Sequence, residues 1–276
     1  MAHSYVEYGG RSEVARDPGR VYTPPLGQKR CSACLHGGGV AVLELIGLSR
    51  HFGGLHILQD LALEIRAGEV LGILGPNGAG KSTLFNLIGG NLLPSAGQVR
   101  FQGVDITGQR TWDRCRLGIG RTFQIPKPFG HLSVFENTLV AAVHGAGMAL
   151  SPARGQAWAA LQMTGLAARA DWEARRLSLL DLKRLELAKA LALKPRLLLL
   201  DEIAGGLTDS ECEPLLEIIR RVHAQGTTVV WIEHVLHALR KVATRLAVLY
   251  GGAILVSGTP DEVLVDARVR EVYLGT

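Results

Sequence analysis

The sequence predicts an α/β fold in which a parallel sheet carries a phosphate-binding loop, with an antiparallel layer beside it and a helical insertion within it. Three features lead there. The run Gly75-Pro76-Asn77-Gly78-Ala79-Gly80-Lys81-Ser82-Thr83 fits G-x-x-x-x-G-K-[ST] and lies between an apolar strand, Val70 to Leu74, and a helix, Thr83 to Ile88, that Gly89-Gly90 stops. Leu197 to Leu200 and Thr228 to Ile232 are unbroken apolar runs of strand length, as parallel strands covered on both faces require. From Ile125 to Leu187 the chain is rich in Ala and Leu, and helical spacing at Trp158, Leu161 and Gln162 and again at Leu182, Leu185 and Leu191 marks an insertion of helices.

Met1 to Gly39 combines Gly9-Gly10, Pro24-Pro25 and Gly37-Gly38-Gly39 with mixed charge and no apolar periodicity, so residues 1–40 are expected to be a disordered extension. A true start near Val40 or Val42 is the alternative. Cys31 and Cys34 supply two of the four ligands a structural zinc needs and His36 a third, so an unpaired segment is expected there. Four cysteines without an apolar leader point to a reducing cytosol. No run approaches the roughly 18 apolar residues of a membrane span, since Leu246 to Val256 is broken by Gly251-Gly252. A net charge of +5 with dispersed basic residues favours solubility over a nucleic-acid footprint.

Beyond this segment, Ala41 to Ile46 and Leu61 to Ile65 alternate as half-buried strands, and Gln98 to Ile106 reads as a hairpin around Gln102-Gly103. The expected domain from 41 to 276 thus divides into a nucleotide-binding core of 41–124 and 188–250, a helical insertion of 125–187 and a C-terminal segment of 251–276. With 47% hydrophobic residues, such a chain can bury a large core.

The chemistry follows from residue types at strand ends. Glycines at 75, 78 and 80 let backbone N–H groups meet phosphate oxygens, Lys81 reaches the β and γ phosphates, and the Ser82 hydroxyl ligates Mg²⁺. Asp201 and Glu202 close the Leu197 to Leu200 strand. Asp201 suits Mg²⁺ held through water, and Glu202 suits orientation and polarisation of the attacking water. Glu233-His234 repeats this placement one strand on, with His234 directed at the γ-phosphate. Gln124, just before the insertion, links Mg²⁺ or water to it.

At these residues the chain resembles an ATP-binding subunit of an ABC transporter, from Ala41 to Thr276. The resemblance implies a P-loop ABC ATPase with a RecA-like parallel core, an antiparallel β subdomain and a helical insertion. Gly75 to Thr83 is similar to the Walker A loop, Gln124 to the Q-loop glutamine, Leu177-Ser178 to the start of the signature, Leu197 to Glu202 to Walker B with its catalytic glutamate, Gly206-Leu207-Thr208 to the D-loop and His234 to the switch histidine. Phe52 falls where the family stacks an aromatic ring on adenine. One departure stands out: the family signature Leu-Ser-Gly-Gly-Gln reads here Leu177-Ser178-Leu179-Leu180-Asp181. In the family two ATPase subunits pair head to tail, each signature facing the partner's ATP. Leucine crowds that approach and Asp181 brings negative charge toward a polyanion, so a weak signature and a different partner ATPase are expected.

Within the family, Gly120-Arg121-Thr122-Phe123-Gln124, Leu185 to Ala188, Ile232-Glu233-His234 and the ending Gly258-Thr259-Pro260 through Tyr273-Leu274-Gly275 are most similar to ATPases of branched-chain amino-acid importers. The resemblance implies ATP and Mg²⁺ as ligands, two integral-membrane permeases and a second ABC ATPase as partners, an extracytoplasmic solute-binding protein acting indirectly, and a peripheral place on the cytoplasmic face of the inner membrane. Ile125 to Phe135, with Pro126, Pro128 and Phe129, would receive a permease helix. Urea or amide uptake, a soluble ABC ATPase without a transport role and a P-loop kinase are the alternatives.

Overall fold

The computed structural model describes residues 40–274. The expectations for residues 1–39, Cys31, Cys34 and His36 among them, lie outside the described residues. In chain order the elements are β1 (Ala41–Phe52), β2 (Leu55–Arg66), β3 (Val70–Leu74), α1 (Lys81–Gly89), β4 (Ala96–Phe101), β5 (Val104–Asp105), α2 (Thr111–Leu117) and β6 (Ile119–Arg121). There follow α3 (Val134–Val140), a π-helical turn (Ala141–Gly145), α4 (Leu150–Thr164), two short 3₁₀ turns and α5 (Leu179–Leu191). The chain closes with β7 (Leu197–Asp201), α6 (Asp209–Ala224), β8 (Thr228–Ile232), α7 (Leu236–Val242), β9 (Arg245–Tyr250), β10 (Ala253–Gly258), α8 (Pro260–Val265) and α9 (Ala267–Leu274).

Two sheets result. A four-stranded antiparallel sheet has the order β2-β1-β4-β5, and a six-stranded sheet the order β10-β9-β3-β8-β7-β6. The first two strands run well past their expected ends, to Phe52 and back from Leu55. Gln102 and Gly103 both take positive φ, 51° and 77°, the hairpin turn that matches strand twist. In the second sheet the neighbours from β9 to β6 pair in parallel, and β10 adds an antiparallel edge through the Gly251-Gly252 turn.

β3, β7 and β8 are buried at every position. Period-2 geometry sends Leu198, Leu200, Val229 and Trp231 to one core, shared with α3 to α6, and Leu197, Leu199, Val230 and Ile232 to the other, shared with β1, β2 and α1. Each fully buried aliphatic side chain contributes about 1.5–3 kcal/mol. Ile203, to which the sequence assigns no role, is 1% exposed and belongs to the first core.

The helical insertion forms, with two departures from expectation. On α4 the buried stripe is Ala153, Ala157, Ala160, Leu161 and Thr164, while Trp158 is 43% exposed and Gln162 is exposed. Alanines let α4 pack closely, and Trp158 instead leans on Phe135, ring centroids 6.3 Å apart. Helix α5 continues through Leu191, so the expected boundary between 187 and 188 falls inside a helix.

One buried cation holds the phosphate-loop helix. Arg114 is 1% exposed and donates to the carbonyls of Leu87 and Ile88 at the end of α1 and to those of Ile106, Thr107 and Gln109. It satisfies carbonyls that a helix end otherwise leaves open and places positive charge at the negative end of the dipole. Burial, opposed by Asp105, pushes its pKa down to about 10.

Candidate functional site

Strand order assembles the site. β3, β8 and β7 are consecutive and parallel, and Ile73, Ile232 and Asp201 share one row. The residues that follow each strand therefore emerge together at the carboxyl edge, where α/β sheets bind ligands.

After β3 the chain turns at Gly75, where a Cβ would stand 2.4 Å from the carbonyl oxygen of Leu249, and enters α1 through Gly80 at φ 102°. No side chain caps α1 and no acid lies in its first turn, so its free N–H groups and positive dipole end are open to an anion. The Lys81 ammonium folds back onto the loop, donating to the carbonyls of Gly75 (2.6 Å) and Pro76 (3.0 Å). It is 8% exposed, and burial lowers its pKa, with Glu202 and Asp201 opposing. A cavity of about 250 Å³ is lined by Asn77, Gly78, Ala79, Gly80, Lys81, Ser82 and Thr83 together with Ile57 and Glu202.

Three of the expected catalytic groups meet. Gln124 Nε2 donates to Glu202 Oε2 at 2.6 Å, and His234 Nδ1 lies 3.8 Å from the same oxygen and 3.3 Å from Glu233 Oε1. Glu202 itself holds φ 44°, a left-handed backbone that costs a non-glycine residue roughly 1–3 kcal/mol. Glu233, whose side chain is fully buried, accepts from the N–H groups of Ala204, His234 and Val235 and so shapes the turns on both sides.

Asp201 is paired with a residue to which the sequence assigns no role. Arg121 donates to Asp201 Oδ2 at 2.9 Å and to Asn86 Oδ1 on α1 at 2.7 Å, while the Asp201 N–H donates to Thr122 Oγ1 at 3.1 Å. Among the described residues Asp201 Oδ1 and Gln124 Oε1 accept no hydrogen bond. Together with the exposed Ser82 hydroxyl they are hard oxygen donors that fit Mg²⁺. No three His, Cys, Asp or Glu side chains among the described residues converge on a metal centre, so the ion's remaining ligands would come from phosphate and water.

Other expected residues lie apart from this cavity. Phe52 ends β1, 45% exposed, with the Arg50 guanidinium 4.5 Å from its ring centroid, and Ile57 rather than Phe52 lines the cavity wall. The signature residues also stand outside it. Leu177 is buried, Ser178 caps α5, Leu179 is 48% exposed and Leu180 is half-buried. Asp181 departs from expectation: it is 7% exposed, accepts the Ser178 hydroxyl at 3.1 Å, and is ion-paired to Arg169 and to Arg184 (3.3 Å). Two guanidinium groups neutralise the charge that the sequence alone would aim at a partner's phosphate.

Sequence reasoning passes over Arg121, although it stands inside the quoted Gly120 to Gln124 run, and also Ile57, Asn137 and Lys183. Asn137, fully buried, donates to the carbonyls of Phe129, Leu132 and Ser133 and accepts the Phe129 N–H, fixing the loop that carries the 55% exposed Phe129. A buried Asn or Lys inside an apolar helix pattern is the signal that could have found the last two.

Comparison with known proteins agrees with the geometry. Residues 58–205 match the ABC transporter family model, and residues 253–276 match that of the branched-chain amino acid ATP-binding cassette transporter. The chain is 33% identical over 251 residues to the high-affinity branched-chain amino acid transport ATP-binding protein LivG of Salmonella typhimurium, spanning 85% of this chain and 98% of the relative. It is 33% identical over 249 residues to BraF of Pseudomonas aeruginosa, with the same coverage. It is also 34% identical over 236 residues to the lipopolysaccharide export system ATP-binding protein LptB of Acidithiobacillus ferridurans, covering 85% and 97%. A solved nucleotide-free ATP-binding cassette from an ABC transporter superposes with a TM-score of 0.79 at 28% identity, covering 86% of this chain and all of that one. A cassette in its ADP conformation gives 0.79 at 29% identity, covering 86% and 99%. A chain with this sheet edge, this loop and these relatives belongs to the ABC transporter family as an ATP-binding subunit, an ATPase.

Proposed function

We propose that this subunit hydrolyses ATP with Mg²⁺ to drive inward transport of branched-chain or other hydrophobic amino acids. It would work through two integral-membrane permeases on the cytoplasmic face of the inner membrane, fed by an extracytoplasmic solute-binding protein. The observation that carries the chemistry is the contact of Gln124 with Glu202 beside the uncapped α1 loop. Triphosphate entry would draw Lys81 from the Gly75 and Pro76 carbonyls onto the β and γ phosphates, with the loop N–H groups around them. Ser82, Gln124 and Asp201 would hold Mg²⁺, which supplies charge neutralisation at the phosphates. Released from Gln124, Glu202 would orient and polarise the attacking water, and His234, its side chain 60% exposed at the edge, would turn toward the γ-phosphate. The solute class rests on the match of residues 253–276 and on the names of LivG and BraF. Urea or amide uptake uses the same machinery, and the likeness to LptB keeps a lipid-export role as the second reading.

Leu179 and Leu180 replace the small residues of the family signature at the start of α5. In the proposed pair, a different ATPase with an intact signature would serve the site of Lys81, Glu202 and His234, while the partner's own site would face Leu179 and Leu180 and turn over slowly. Isolation of the tagged subunit from native membranes, with mass spectrometry of the accompanying chains, tests both parts. Two permeases with a second ATPase support the reading. Lipid-export components redirect it, and recovery with no membrane protein refutes the transport role.

A further inference from the structure

The mechanism above makes no use of the buried Lys183. Lys183 lies on the second turn of α5, 4% exposed, and its ammonium donates to the backbone carbonyl of Glu202 at 3.4 Å. Burial lowers its pKa, and the charges of Glu233 and Glu202 oppose that shift. A buried ammonium is costly unless something nearby compensates it, and the polar contact it makes here is the Glu202 carbonyl.

Glu202 occupies a conformation that its surroundings must impose. At φ 44° its N–H is held by the Ile232 carbonyl (2.9 Å), and its carbonyl receives the Gly205 N–H (3.2 Å) and the Lys183 ammonium. The next residue but one is fixed in the same way, since the Ala204 N–H donates to Glu233 Oε2 at 3.0 Å. Lys183 is the member of this set that comes from α5, the helix that begins at the signature.

We infer that Lys183 is a positioning residue: it fixes the left-handed turn that aims Glu202 at the nucleotide and ties that turn to the signature helix. The site facing the partner's nucleotide and the carboxylate serving this chain's own nucleotide thereby share one rigid element. The catalytic part of this inference rests on the role proposed for Glu202, whereas the part concerning the turn does not.

Two variants test it. Lys183→Met keeps the length of the stem and removes donor and charge, and Lys183→Arg restores both. In Lys183→Met, kcat is expected to fall about tenfold or more while KM for ATP changes by less than about threefold, because binding groups remain and aim is lost. Hydrogen–deuterium exchange at the amides of residues 202–206 should quicken by about tenfold, a readout that needs no turnover. Lys183→Arg should recover most of both. The inference is overturned if Lys183→Met matches the parent in exchange at 202–206, or if Lys183→Arg does no better than Lys183→Met. Glu202→Gln, run in parallel, separates the two layers. If it hydrolyses ATP at the parent rate, the proposed role of Glu202 falls, while the exchange data still decide whether Lys183 holds the turn.

Discussion

Replacing Lys81 by Met should leave the empty protein nearly as stable as before and remove most of its affinity for ATP. The ammonium makes two hydrogen bonds, 2.6 and 3.0 Å long, to the carbonyls of Gly75 and Pro76. Charge-assisted bonds of this kind contribute about 1.5–3 kcal/mol each, and the cost of burying the ammonium is of similar size. The apo stability change is therefore about 1 kcal/mol in either direction. With ATP bound the same ammonium would face a polyanion instead of neutral carbonyls. Losing that exchange costs about 2–4 kcal/mol, or a Kd weaker by roughly 30- to 1000-fold. At an ATP concentration about 100 times the parent Kd, binding stabilises the parent by about 2.7 kcal/mol; a variant with about 100-fold weaker affinity gains about 0.4. At roughly 2–4 °C per kcal/mol, the ATP-induced rise in Tm falls from about 5–11 °C to about 1–2 °C. Differential scanning fluorimetry with and without ATP reads both quantities. A parent-like ATP shift, or a collapse of the apo Tm, refutes the reasoning. Protons report on the same group: burial lowers the Lys81 pKa, and a bound phosphate would raise it. ATP binding at alkaline pH should then take up protons, seen as a buffer-dependent heat in calorimetry that disappears in Lys81→Met.

Three further outcomes are expected. Glu202→Gln should bind ATP normally and lose about 10²- to 10⁴-fold in turnover, leaving an ATP-bound pair that size-exclusion chromatography detects. The double substitution Leu179→Gly with Leu180→Gly should raise the ATPase rate of the isolated subunit if it pairs with itself, and an unchanged rate in a self-paired subunit would rule out crowding as the cause. Arg114→Met should lower stability by about 3–5 kcal/mol, or roughly 6–20 °C in Tm, because five carbonyls around α1 lose their donor.

Much of the nucleotide edge is legible in the amino-acid sequence, because it is written in local chemistry. An apolar strand, a glycine loop and a helix lie in the order the loop requires, and a continuous apolar run of strand length such as Leu197 to Leu200 fits a strand covered on both faces. What the sequence conceals is partnership across distance. Asp181 reads as an exposed charge until Arg169, twelve positions upstream, is seen to fold over it. Trp158 reads as core until the alanine stripe of α4 proves to be the packing face. The left-handed turn at Glu202 has no sequence mark, since glycine or asparagine would be the usual occupant of such a backbone.

Helix α5 has a mechanical consequence. Its 13 residues make a rod about 20 Å long. One end is secured: the Gln156 side chain donates to the Leu191 carbonyl, and just beyond the helix, where β7 begins, the N–H groups of Arg196 and Leu197 both donate to the Gly118 carbonyl. With that fulcrum fixed, a displacement of about 1 Å at Ser178 is a rotation of only about 3°, small enough for the packed apolar face to follow without losing its contacts. A shift of that size at the start of α5 would thus be taken up as a tilt of one rod, with no element needing to unfold.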